Sequence, residues 1–202
     1  MKPASFFLLF VLVFVSCTVP GSLHPLSKNV SEIYYNPALV GQWESSDSSG
    51  EIYQITEGAD PSEKYYHCTI FPKDETNEDS LYFFVRLIKL NELNYLDCWY
   101  NLKKSGKENK DLVYYNVPRH FFYKVKIINN NSVELYSPDM DEIMKLVKDG
   151  KITLKVADLQ SLDISDDYLV ISETPDLQKA FIEFEKYAST VYKDKSTFTR
   201  IH

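Results

Sequence analysis

The sequence predicts a mainly β fold: an antiparallel up-and-down barrel of about eight strands, with two short helices in its C-terminal half. Three observations carry this reading. From residue 39 onward, short runs of strand-like composition are separated by polar turns of hairpin length. Fifteen Tyr and twelve Phe against six Gly supply the aromatics that strands favour and disordered chains lack. Eight or nine antiparallel strands leave exposed edges unless the sheet closes, and closure gives a barrel. A Greek-key sandwich is the structural alternative. At 202 residues the chain is one domain by size and can bury roughly 70% of its unfolded surface.

The chain begins with Lys2 and an unbroken apolar run over residues 6–15. Ten residues are too few to span a bilayer but suit a signal-peptide core, so residues 1–16 read as a signal peptide. Phe14-Val15-Ser16-Cys17 resembles the lipobox of bacterial lipoproteins. That resemblance implies lipidation of Cys17 and a place in the bacterial cell envelope, held to a membrane by acyl chains worth about 0.8 kcal/mol per buried methylene. The alternative is ordinary secretion. Residues 17–36 carry Pro20, Gly21, Pro25 and several Ser with no sustained period, which reads as a tether. Ile33, Tyr34 and Tyr35 are its candidates for packing on the domain, which is assigned to residues 37–202.

Within the domain the expected strands are 39–44, 51–56, 64–71, 80–89, 93–101, 119–128, 132–136, 168–172 and 196–201, with 113–117 as a short edge piece and 152–159 irregular. Alternation is clearest in 119–128, where Phe121, Tyr123, Val125 and Ile127 share one face and Lys124 and Lys126 the other. In 80–89 both faces are apolar, with Leu81, Phe83, Val85 and Leu87 opposed to Tyr82, Phe84 and Ile88. Such a strand is covered on both sides or lines a cavity on one. The first helix is expected to be capped by Ser137, to carry Pro138 at its first position and to close at Gly150. Its apolar stripe is Met140, Ile143, Met144 and Val147. The second, over 174–188, repeats the device with Thr174 and Pro175, and its stripe of Leu177, Ala180, Phe181, Phe184 and Ala188 suits packing on the outside of the sheet.

Gly41-Gln-Trp43 on the first strand resembles the Gly-x-Trp signature of lipocalins and related calycins. Thr197-Phe-Thr-Arg200 resembles the C-terminal segment whose Arg packs on that Trp. From residue 37 to the end, the order of sheet, helix, strand, helix and closing strand is similar to that of lipocalin-like bacterial lipoproteins. The resemblance implies small-ligand binding or an envelope role, with Trp43 and Arg200 closing one end of the barrel by a cation–π contact.

Chemistry-bearing residues are few. Cys68 and Cys98 point inward in the expected strands and are either bridged by a disulfide or two buried thiols. His24, His67, His120 and His202 show no metal-ligand spacing. His67 and Cys68 are adjacent on a strand and therefore face opposite ways. The Asp163–Asp167 stretch lacks the Gly and terminal Glu of a calcium loop. There is no phosphate loop and no nucleophile elbow. A formal charge of −7 without a basic face argues against nucleic acid. No cofactor, metal or catalytic role is expected. Tyr66, Phe83, Val85, Phe121 and Tyr123 either line a pocket for a small apolar ligand or fill a narrow barrel solid. The functional expectation is a lipid-anchored barrel binding such a ligand; the alternative is an envelope structural or interaction module with a filled barrel.

Overall fold

The computed structural model describes residues 21–47, 50–58, 64–73, 80–101, 104, 119–158 and 168–201. The signal segment 1–16, Cys17, the edge piece 113–117, the 163–167 turn and His202 lie outside the described residues. The strands are β1 (Gly21–Ser22), β2 (Ile33–Tyr34), β3 (Gly41–Ser45), β4 (Glu51–Glu57), β5 (Tyr65–Pro72), β6 (Leu81–Leu90), β7 (Leu93–Tyr100), β8 (His120–Asn129), β9 (Ser132–Ser137), β10 (Val156–Asp158), β11 (Tyr168–Val170) and β12 (Asp194–Ile201). The helices are α1 (Met140–Lys148), α2 (Thr174–Phe184) and α3 (Ala188–Val191).

Eight strands close a barrel. Each of β3 to β8 pairs antiparallel with the next, and β12 pairs with both β9 and β3. The β12–β3 ladder, with Arg200 opposite Trp43, decides for the barrel over the sandwich. A short extension leaves it where β8 begins: β1 pairs antiparallel with His120 and Phe121 of β8 and parallel with β11, and β11 pairs with β10.

Side-chain alternation divides the apolar residues into two cores. The inner core fills the barrel with Trp43, Tyr53, Tyr66, Phe83, Tyr123, Phe198 and their neighbours. The outer core lies between the barrel wall and the helices. There Ile88, Leu90, Tyr95 and Phe122 meet Ile143 of α1 and Leu177, Phe181 and Phe184 of α2. Strand β6 is therefore covered on both sides, one of the two arrangements its composition allows. The α2 stripe packs on the outside of the sheet, with Phe181 edge-on to Tyr95 at 5.5 Å and to Phe122 at 5.3 Å.

Four local expectations are corrected. Pro37–Leu39 is a 3₁₀ turn capped by the Asn36 side chain, and the first barrel strand starts only at Gly41. α1 is capped by Asp139, whose carboxylate accepts from the Glu142 N–H at 3.1 Å, and not by Ser137. Ser137 is still in the sheet opposite Asp194, so the helix cannot begin until that ladder ends. Thr174 does not cap α2; its hydroxyl donates to the Pro25 carbonyl at 2.8 Å, and the cap position falls to Glu173. The helix expected over 174–188 ends at Phe184, and a 3₁₀ turn, Glu185–Tyr187, leads into α3. Gly150 does close α1. At φ 68° it donates to Val147, and Lys151 donates to Leu146, the paired bonds of a Schellman motif.

The largest correction concerns the expected tether. Residues 21–36 are a strap folded on the barrel. Gly21 and Ser22 form β1, Ile33 and Tyr34 pair with Ile88 and Leu87, and Leu26 is fully buried in the outer core. Its composition reads as a linker because its anchors, Leu26 and Ile33, are too widely spaced to make a period.

Candidate functional site

One end of the barrel is closed by residues far apart in sequence. The Trp43 indole N–H donates to the Leu39 carbonyl at 2.9 Å. The Arg200 guanidinium lies 4.4 Å from the Trp43 ring centroid. Its Nη1 and Nη2 donate to the carbonyls of Val40 and Ala38, and its Nε to that of Asn130, each at 2.6 Å. A planar fork is needed to reach three carbonyls while covering a ring. Gly41 permits this close approach: a Cβ there would stand 2.1 Å from Nη1. The 3₁₀ turn, the indole and the guanidinium thus form one plug.

Above the plug the described residues enclose little free space. The cavity there is about 40 Å³, lined by Leu39, Trp43, Tyr53, Cys68, Val85, Phe198 and further apolar side chains. Of the expected ligand-binding residues, Val85 lines this cavity. Phe83 packs at a tilt against Tyr100 at 4.5 Å, and Phe121 meets Tyr100 edge-on at 5.8 Å, so these two gather toward the other mouth. Tyr66 is fully buried near the plug, its hydroxyl bonded to Asn36. Tyr123 is buried, and desolvation holds its phenol well above the usual tyrosine range. The five residues share the barrel interior without forming one wall.

Cys68 and Cys98 are free and buried. Strand β6 runs between them, with Cys68 opposite Phe83 and Cys98 opposite Val85. Two strand spacings put their Cα atoms about 10 Å apart, beyond the roughly 7 Å that a bridge allows. Of the two readings, disulfide or buried thiols, the structure holds the second. Burial pushes the Cys68 thiol up to about 12 and the Cys98 thiol well above the usual range.

The outer wall carries an arrangement the sequence did not single out. His67, Phe84, Trp99, His120 and Ser22 are successive cross-strand partners from β5 to β1. Their rings follow one another at 5.2 Å, 5.4 Å and 5.4 Å from His67 to His120. Beside the row, Asp97 is fully buried. One carboxylate oxygen lies 2.6 Å from His120 Nδ1, and the other accepts from the Leu26 N–H at 3.1 Å. Ser, His and Asp converge here, but the Ser22 hydroxyl is fully buried and donates to the His24 carbonyl. As placed, the trio clasps the strap to the barrel. The only advance signal was that these residues occupy outward positions of alternating strands. His67 and Cys68 face opposite sides of the wall, as adjacent strand residues must.

A second concavity, about 400 Å³, opens outside the barrel between β8 and the end of α3. Leu93, Asn94, Lys124, Lys126, Tyr136 and Tyr192 are among its lining residues. Lys124 pairs with Glu185 and lies 5.2 Å over the Tyr192 ring. Among the described residues, no three His, Cys, Asp or Glu side chains gather at metal-ligand distance, and no helix is long and apolar enough to cross a membrane. Comparison with protein-family models, curated proteins and solved structures finds no match.

Proposed function

We propose that the chain is a lipid-anchored protein of the bacterial envelope, similar in plan to lipocalin-like lipoproteins, whose barrel is a filled scaffold presenting an outer surface to a partner. The observation that carries this reading is the contrast in space. Among the described residues, the cavity inside the barrel is about 40 Å³ and the outer groove about 400 Å³, while sites for small ligands usually run about 300–1,000 Å³. Anchoring at Cys17 is part of the proposal and rests on the lipobox-like residues 14–17.

A second reading keeps a small apolar ligand inside the barrel. It is favoured by the lining of the interior cavity, which is apolar throughout. The interior would then have to open about tenfold at the mouth near Phe83 and Phe121 to reach ordinary ligand size. Native mass spectrometry of protein purified from its own source separates the two readings. A filled scaffold gives the bare lipidated mass and no saturable uptake of a fluorescent fatty acid. One retained or saturable equivalent, lost when Val85→Phe fills the interior, would replace the first reading by the second.

A further inference from the structure

The strap changes where the protein can sit on a membrane. Gly21, the first described residue, is already held in β1, and it lies only four residues after Cys17. Four residues reach no more than about 14 Å even fully extended. An acyl chain on Cys17 therefore keeps Gly21 within about 14 Å of the anchor and brings the surface around β1 nearest to the bilayer.

That surface is suited to the contact. The Leu23 N–H donates to the Val170 carbonyl at 3.0 Å, and the Ile171 N–H to the Lys155 carbonyl at 2.9 Å. These bonds extend the β1–β11 and β11–β10 registers by one residue and place Leu23, Ile171 and Lys155 in one row. Leu23 and Ile171 are each 39% exposed, and they are two of the five large apolar side chains exposed among the described residues. Lys155 is exposed and makes no ion pair among the described residues. Glu173, the nearby acid, is engaged by His24 at 3.4 Å and Lys28 at 3.9 Å. Two apolar side chains beside a cation with no ion-pair partner among the described residues match a lipid interface, where acyl tails and phosphates are close together.

We propose that the row Leu23, Ile171 and Lys155 lies against the bilayer, so that β1 and the adjoining mouth of the barrel face the membrane and the Trp43 plug points away. This rests on lipidation of Cys17. The test uses the full-length lipidated protein in phosphatidylethanolamine–phosphatidylglycerol vesicles doped with nitroxide-labelled phosphatidylcholine. A thiol-reactive fluorophore is placed at Ile171→Cys or, as the distant site, at Asn130→Cys in the β8–β9 turn, roughly 30 Å away along β8 by strand rise. Cys68 and Cys98 are buried and stay unlabelled. Quenching is expected to be several-fold stronger at position 171 than at 130. Protein that floats with the vesicles but shows equal quenching, or none, at the two sites overturns the orientation. Protein that does not float overturns the lipid anchor, and the orientation with it.

Discussion

At Gly41 the backbone stands at φ 145°, where a side chain is strained, and the space a Cβ would need holds Nη1 of Arg200. Gly41→Ala is expected to cost about 2–3 kcal/mol through strain and overpacking. Arg200→Lys keeps the charge but loses the fork and the stacked plane, costing about 2 kcal/mol and lowering the thermal midpoint by about 4–8 °C. A midpoint unchanged by both substitutions would mean that the plug does not hold the barrel shut. The buried thiols give a pH prediction of definite sign. The Cys68 thiol titrates at about 12 in the folded chain against 9.0 for the ordinary thiol, so the folded state keeps a proton that the unfolded state releases. Its contribution is complete below pH 9 and is lost as pH rises toward 12. Tyr34 and Tyr100, raised by desolvation from 10.0 to about 12, act in the same direction. Denaturant midpoints measured from pH 8 to 11 should fall, and native protein should resist a maleimide dye that labels both thiols after unfolding. The Trp43–Arg200 contact was legible because a Gly-x-Trp and a terminal Arg are compact patterns. The Asp97–His120–Leu26 clasp was not, since its hydrogen bond to the strap joins residues 71 positions apart.

Among the elements, α2 shows how far polarity patterns reach. Its apolar positions Leu177, Ala180, Phe181 and Phe184 are all buried, and they meet the outward residues of β7 and β8. Phe181 contacts Tyr95, Phe122 and Phe184, so Phe181→Ala removes a ring from a packed site and should cost about 3–5 kcal/mol. A thermal melt reads this directly; an unchanged midpoint would mean that the helix is not part of the cooperative unit. The stripe was legible because it follows the helical period over three turns. The helix starts were not, because Ser137-Pro138 and Thr174-Pro175 are good caps in isolation. Pairing with β12 holds Ser137 in β9, and the strap takes the Thr174 hydroxyl. Tertiary partners overrode local preference at both places.

For the molecule as a whole, the question is where the folding unit begins. Composition put the boundary at residue 37, where the Pro37–Leu39 turn leads into the first barrel strand at Gly41. Yet the strap before it completes the outer core and partners Asp97. β1 and β2 are only two residues each, too short for any periodicity to reveal. Without the strap, the sites of Leu26 and Ile33 open onto Ile88, Tyr95 and Phe122. Each lost side chain is worth about 1.5–3 kcal/mol. Asp97 loses its bond to the Leu26 N–H, about 1–3 kcal/mol for a buried acceptor. The total, about 4–9 kcal/mol, rivals the 5–15 kcal/mol that holds a typical domain together. A chain starting at Gly21 should therefore unfold in urea as one cooperative transition. A chain starting at Pro37 should have a much lower midpoint, or no transition, and should bind a hydrophobic dye through the uncovered wall of β6 and β7. Equal midpoints for the two chains would make the strap a passenger. The short reach from Cys17 to Gly21 would then no longer fix how the barrel stands on the membrane.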